Sequence, residues 1–374
     1  MNHTEKRKYR KLFIIAGEAS GDLYGGQLAK ELLRLDPHLE IKGWGGEAMA
    51  SAGVSISTHY KDLAFMGFWE VLKNIRTIHH NLQRCKEEII QFQPDAFVGI
   101  DFPGFNLRVS AHLKEAGIFT HHYISPSIWA WNARRIHRIK RSVNRMHVAM
   151  KFELPAYQAV QMDARFVGHP LVSLLKEITD TNPPLVSPLP ILALLPGSRT
   201  QEIKHLLPVM VETAKSMPEF QAVIAGAPGQ DPNAYSLAKE AGIPVLFNQT
   251  RQIMRISTVG LITSGTATLE ASLLELPQVI CYRTSRLTYH LAKLLSQVEW
   301  IGLPNILLNR LAVPERIQAE CNPIKLQNDI KALFNGDLLT PAGEQQRQLA
   351  SSLKTLLGAE SAAKNTAASI MEKL

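Results

Sequence analysis

The sequence predicts an α/β protein made of two parallel-sheet halves, and three observations carry that expectation. Short apolar runs alternate with runs of helical spacing along most of the chain. The alternation stops at a proline-rich stretch, Thr181–Pro190, and then starts again. The 374 residues also exceed the roughly 250–300 at which a single hydrophobic core stops growing. The expected domains are residues 1–180 and 181–374, with the last helices packing back on the first half.

The elements follow in order. Lys11–Ala16 reads as the first strand. Basic residues ahead of it give a passing likeness to a signal peptide, but Gly17-Glu18 end the apolar run too soon for a secretory core. Asp22–Leu35 reads as a helix, with Leu23, Gln27, Leu28 and Leu32 at helical spacing. Ala96–Ile100 is apolar throughout, as a strand covered on both faces should be, and Phe119–Ile124 reads as the next. The prolines of Thr181–Pro190 cannot sit inside a helix, so that stretch reads as a linker. Beyond it, Pro190–Leu195, Gln221–Ala225, Val259–Thr263 and Gln278–Tyr282 read as strands. Gln201–Ser216 and Thr266–Leu274 read as helices. Ligands of such sheets lie beyond the carboxyl ends of the strands, so the loops there are where chemistry is expected.

Composition narrows the class. Apolar residues at 45% and charged residues at 20% exclude a disordered or low-complexity chain. The 41 basic against 33 acidic residues leave a net charge of +8, which favours an anionic partner. Cys85, Cys281 and Cys321 lie far apart with no metal-ligand spacing, so free thiols in a reducing cytosol are expected rather than structural zinc or disulfides. No apolar run is long enough to suggest a membrane-spanning helix.

Four loops carry candidate chemistry. Gly17-Glu18-Ala19-Ser20-Gly21-Asp22 follows the first strand but matches neither common phosphate-binding glycine pattern. Glu18 and Asp22 would repel a phosphate, so the loop reads as serving a hydroxyl-bearing ligand or a general base. Helix capping by Ser20 or Asp22 explains the same residues. Asp101 stands at the carboxyl end of Ala96–Ile100, where it can accept a proton from an attacking hydroxyl or form an Asx-turn. Gly197-Ser198-Arg199 opens a helix and suits an anion, with no acid in the loop itself. Ser264-Gly265-Thr266 opens another, with Glu270 about one turn on. Together these two loops suggest a nucleotide diphosphate in the second half. Without DxD or HExxH, a metal held by paired acids is not indicated, and Arg199 and helix ends are left to neutralise a leaving group.

Two stretches suggest a membrane surface. Phe65, Met66, Phe68, Trp69 and Leu72 crowd large apolar side chains around Gly67, in a pattern that a core-facing helix also explains. Trp129 and Trp131 precede Arg134, Arg138, Arg141 and Arg145, which on one helix form a basic stripe opposite Ile136, Ile139 and Val143.

The blocks AGEASGD, DFPGFNL, YISPSIWAW, FVGHPL, LLPGSRTQEI, SGTATLEA and LPN, between Leu12 and Cys321, resemble in order those of the lipid-A-disaccharide synthases. The resemblance implies a GT-B glycosyltransferase, with two Rossmann-like domains facing a cleft. It implies inverting transfer from UDP-2,3-diacylglucosamine to 2,3-diacylglucosamine 1-phosphate, giving a β-1,6 disaccharide and UDP. It places Ser198, Arg199, Ser264, Gly265 and Thr266 on the diphosphate, Glu270 on the ribose and Asp101 as the base. Glu18, Ser20, Asp22 and Asn106 fall near the base, and Asn305 falls among the substrate-lining residues. It also implies peripheral docking on the cytoplasmic leaflet of the inner membrane. No cofactor or nucleic-acid partner is expected, and self-association is left open. Three positions depart from the family pattern: Gly104 where Asp is usual, Asn132 where Arg is usual, and the block Lys151-Phe152-Glu153-Leu154-Pro155. Rival readings are a UDP-GlcNAc 2-epimerase-like or other UDP-sugar enzyme, or a membrane-bound nucleotide-sugar sensor without turnover.

Overall fold

The computed structural model describes residues 10–63, 75–131, 134–176, 185–285, 289, 293–294, 298–336, 338–358 and 361–374. They form two units. The first holds the chain up to Ser173 together with Leu357–Leu374, and the second holds Leu174–Leu356.

The first unit is built on a seven-stranded sheet of β1 (Lys11–Ala16), β2 (Glu40–Gly45), β3 (Ser55–His59), β4 (Ala96–Ile100), β5 (Phe119–Tyr123), β6 (Arg145–Val148) and β7 (Asp163–Phe166). The strands run parallel in the order β3-β2-β1-β4-β5-β6-β7. β1 and β4 are apolar because both faces are covered. Phe13, Ile15 and Phe97 pack against α3 (Ile75–Phe92) and α4 (Pro103–Glu115) through Cys85, Ile89, Phe105 and Val109. The helix α1 (Ala19–Leu35) follows β1, and the short α2 (Glu47–Ser51) follows β2. The helix α5 (Arg135–Ser142) buries Ile136 and Ile139 and leaves Arg138 and Arg141 in solvent, as its spacing requires.

Arg145 corrects the expected basic stripe. The backbone turns extended at Val143, so α5 stops and Arg145 falls in β6, 3% exposed. Its Nε donates to Asp163 (2.7 Å), and its Nη1 donates to the Ser369 carbonyl (2.8 Å) and to Glu372 (3.0 Å). These bonds fasten the C-terminal helix α10 (Ala362–Met371), which also packs along α1.

The second unit repeats the plan with six parallel strands: β8 (Ile191–Leu195), β9 (Gln221–Gly226), β10 (Val245–Phe247), β11 (Val259–Thr263), β12 (Gln278–Tyr282) and β13 (Glu315–Ile317). Their order is β10-β9-β8-β11-β12-β13. The helices that matter below are α6 (Thr200–Lys215), α7 (Thr266–Leu273), α8 (Leu303–Leu308) and α9 (Pro323–Leu333). α6 and α9 cover one face of the sheet through Ile203, Leu207, Met210, Leu326 and Ile330.

In each sheet the strand order reverses once, between β1 and β4 and between β8 and β11. Chains leaving two such strands run to opposite faces and open a crevice at the carboxyl edge, where open α/β sheets bind ligands. Residues 177–184, which include the first four of the linker, lie outside the described residues. Among the described residues no helix is long and apolar enough to cross a membrane.

Arg145→Met keeps the aliphatic stem and removes the charge-assisted bonds, each worth about 1.5–3 kcal/mol. Urea unfolding is expected to show a loss of about 2–4 kcal/mol, since the acidic partners are half-exposed and recover water. A loss below about 0.5 kcal/mol would mean that apolar packing alone holds α10.

Candidate functional site

The first unit's crevice is lined by the two loops that leave β1 and β4. Ala16 and Ile100 are register partners, so the Gly17–Asp22 and Asp101–Asn106 loops leave the sheet side by side. Asp101 and Phe102 are both left-handed, with φ of +44° and +45°, and Ile124 at the end of β5 has φ +73°. Each such residue costs about 1–3 kcal/mol and needs surrounding structure to hold it. The Asn106 amide supplies that support. Its Nδ2 donates to the carbonyls of Asp101 (2.9 Å) and Ile100 (3.2 Å) and reaches that of Ile15 at 3.5 Å. The Asp101 N–H bonds the Tyr123 carbonyl at 2.9 Å. The Phe102 ring lies so close to Gly17 that a Cβ there would sit 2.2 Å from it.

Burial, and then the neighbouring Glu18 carboxylate, push the Asp101 carboxyl up to about 6, against the opposing pull of the Phe102 N–H. It is therefore ionised at neutral pH yet more basic than an ordinary carboxylate, which suits proton abstraction from an alcohol. Glu18 occupies the cap position of α1 in extended conformation, and Ser20 is exposed in the first turn.

Two residues of this unit have partners that sequence spacing did not show. Asp22 is 4% exposed, and its carboxylate accepts from the N–H groups of Gly46 (2.7 Å), Ala48 (2.9 Å) and Met49 (3.2 Å). It caps α2 from a distance, and three backbone N–H groups already occupy its carboxylate. Asn106 is fully enclosed and its Nδ2 is spent on the Ile100 and Asp101 carbonyls, so it braces the Asp101 turn. Glu153, in the block that departs from the family pattern, is a buried carboxylate. It is 5% exposed, accepts from the Met150 N–H at 3.1 Å and sits beside Trp129 and Ser125. Burial pushes its carboxyl up to about 7. Trp129 is half-buried, edge-on to Phe152 with centroids 5.4 Å apart. Phe65, Met66, Phe68, Trp69 and Leu72 and the side chain of Trp131 lie outside the described residues.

In the second unit, Leu195 pairs with Ile262, and Thr263 Oγ1 donates to the Leu195 carbonyl at 2.8 Å. The loops after β8 and β11 are thereby held together. At the start of α7, Gly265 and Thr266 are exposed; the Thr268 N–H bonds the Gly265 carbonyl at 3.1 Å, while the N–H groups ahead of it have no acceptor within their own helix. That end is suited to an anion.

The loop after β8 differs from expectation. Glu202 folds back, and its Oε2 accepts from the N–H groups of Ser198 (3.0 Å) and Arg199 (3.2 Å). Gly197, at φ +112°, leaves room for it, since a Cβ there would lie 2.4 Å from that oxygen. An internal carboxylate thus holds the N–H groups assigned to a phosphate. Arg199 lies against Glu202 at 3.3 Å with its side chain 65% exposed, so the guanidinium remains the part of this loop open to a ligand.

Ser264 and Asn305 make bonds that sequence spacing did not show. Ser264 Oγ donates to the Ile301 carbonyl at 2.7 Å, and its N–H bonds the Cys281 carbonyl at 3.0 Å. Both donors face inward and hold the loop. Asn305 is fully buried. Its amide donates to the Val313 carbonyl and to Glu315 and accepts from the N–H groups of Ala312 and Val313, all at 2.8 Å. Glu315 in turn accepts from Ile301 and Gly302. Asn305 is therefore a brace behind the Ser264 loop. Glu270 is half-buried and paired with Arg251 at 3.0 Å, a partner no local motif announced.

Asp22→Asn replaces one acceptor oxygen with a donor facing backbone N–H groups. An expected loss of about 1–3 kcal/mol in urea unfolding follows from the buried donors left unpaired. Unchanged stability would return Asp22 to the list of candidate bases.

Residues 12–372 match the family model described as lipid-A-disaccharide synthetase. The lipid-A-disaccharide synthase of Chromobacterium violaceum is 36% identical over 339 residues, covering 87% of this chain and 88% of that protein. Lipid-A-disaccharide synthase 1 of Legionella pneumophila strain Paris is 37% identical over 333 residues, covering 86% and 87%. Among solved structures, UDP-GlcNAc 2-epimerase from Neisseria meningitidis, bound to UDP-GlcNAc, superposes with a TM-score of 0.64 at 13% identity, over 97% of this chain and 100% of that one. The calicheamicin glycosyltransferase CalG4 gives 0.61 at 14%, over 98% of each. At that identity the structures speak to the fold alone, and the sequence relatives speak to the family. The chain belongs to the lipid-A-disaccharide synthase family and is a glycosyltransferase of lipid A biosynthesis with the GT-B fold.

Proposed function

We propose that the chain transfers 2,3-diacylglucosamine from its UDP derivative to the 6-hydroxyl of 2,3-diacylglucosamine 1-phosphate in one inverting displacement. The observation that carries this reading is the Asp101 carboxylate, held by a strained turn at the switch point of the first sheet and made more basic by burial. Asp101 takes the proton of the acceptor 6-hydroxyl as that oxygen bonds to the anomeric carbon. The bond from that carbon to the diphosphate breaks, and UDP leaves with the electron pair. Attack opposite the leaving group gives the β-linkage.

The second unit stabilises the departing charge. The open first turn of α7 and the exposed Arg199 fork supply donors for the diphosphate. The Glu270 carboxylate, steadied by Arg251, accepts from ribose hydroxyls. The exposed Arg134, Arg138 and Arg141, with Trp129 nearby in sequence, suit peripheral attachment to an anionic leaflet, where acylated substrates reside.

The test is turnover by the purified chain with both acylated substrates, scored for disaccharide and free UDP. Formation of UDP-ManNAc from UDP-GlcNAc alone would favour an epimerase instead. Asp101→Asn is expected to lose kcat by at least about 10²–10³, in line with general-base catalysis of about 10²–10⁴, while its Kd for UDP stays within about twofold. A variant retaining most of its activity would move the base to Glu18.

A further inference from the structure

Three polar side chains behind Asp101 are fully buried, and some of their atoms have no protein hydrogen-bond partner among the described residues. They are Asn106 through Oδ1, Ser110 through Oγ, and His122 through both ring nitrogens. The backbone brings them together. Gly99 of β4 and His122 of β5 are register partners in a parallel pair, so their side-chain positions share one face of the sheet on neighbouring strands. The Asn106 side chain fills the place above Gly99, where an added Cβ would lie 2.9 Å from the Asn106 Cβ. Ser110 follows Asn106 by four residues and so lies on the same side of α4.

The donors and acceptors are complementary. Asn106 has turned its Nδ2 toward the carbonyls of Ile100 and Asp101, which directs Oδ1 away from the loop. A neutral imidazole carries one N–H donor and one acceptor, and a hydroxyl offers both. Burial, with the Arg135 charge nearby, keeps His122 neutral. A buried polar group left unmatched costs about 1–3 kcal/mol, whereas one enclosed water bonded to two to four polar atoms removes that cost.

We propose that His122 and Ser110 bind one buried water that hydrogen-bonds Asn106 Oδ1, and that His122 is thereby a positioning residue for the reaction. The proposal rests on the assignment of Asp101 as the base. With its oxygen held from below, the Asn106 amide cannot flip. A flipped amide would set oxygen against the Ile100 and Asp101 carbonyls, release the left-handed pair and let the carboxylate drift. A displacement of about 1 Å at a reacting group costs on the order of 10² in rate.

The test compares His122→Phe, which keeps a ring and removes both nitrogens, with His122→Gln, which restores a donor and an acceptor. His122→Phe is expected to lower kcat about 10–100-fold with KM for the UDP-sugar within twofold, and His122→Gln to recover to within about fivefold of wild type. The Asn106 side-chain NH₂ is expected to exchange slowly by NMR in the wild type and in His122→Gln, and at least tenfold faster in His122→Phe. Should His122→Phe fail to fold, Ser110→Ala takes its place, with the same faster exchange expected. Wild-type kcat in a folded His122→Phe, or an amide that exchanges equally in all three proteins, would overturn the proposal. An active Asp101→Asn would instead remove the base assignment and leave the amide result standing, so the two failures are distinguishable.

Discussion

A parallel strand that ends at a buried edge presents carbonyls that need donors. At the end of β4 the donor is the Asn106 side chain, which lies one turn into the helix that follows. It bonds consecutive carbonyls while the chain reverses through Asp101 and Phe102 in the left-handed region. The reversal leaves Asp101 half-buried and close to Glu18, and burial and that charge together raise its carboxyl. Its basicity is thus a property of the turn. Loosen the turn, and the same residue becomes an ordinary surface aspartate.

The second unit uses the same edge of the same sheet plan, with charge of the other sign. Its two switch-point loops open helices and expose N–H groups, but the loops are not equivalent. Glu202 already fills the donors of the first, whereas α7 keeps its exposed end open, braced from behind by Ser264, Glu315 and Asn305. An arginine beside one loop and an open helix end at the other suit a leaving diphosphate, as a raised carboxylate suits an incoming alcohol.

Much of this was legible in the chain, for physical reasons. β1, β4, β11 and β12 were found residue for residue because strands covered on both faces are short unbroken apolar runs. β2 and β13 were not, since Glu40–Gly45 carries Lys42 and two glycines and Glu315–Ile317 has three residues. The placement of Asp101 at a strand end was readable, because side-chain type and strand boundary are both local. What could not be read were the partners. Asp22 looks like a helix cap or a base until Gly46 and Met49 arrive on its carboxylate. Asn305 looks like a ligand-lining amide until the chain returns through Val313 and Glu315. Glu202 is three residues from Arg199, and the missing Cβ at Gly197 leaves room for it to fold back. In each case a polar side chain was spent on backbone that sequence spacing does not show.

The most direct measurement is the pH dependence of kcat/KM in the wild type and in Glu18→Gln. On the proposed reading the ionised Asp101 is the active form, and its folded pKa is raised, so activity should fall as pH drops through about 6. The acceptor phosphate also titrates near 6, which makes the comparison decisive. Removing the Glu18 charge lowers the Asp101 midpoint and leaves the phosphate untouched. An acid limb displaced to lower pH in Glu18→Gln is the expected result. Coincident limbs in the two proteins would contradict the assignment of Asp101 as the group that activates the acceptor.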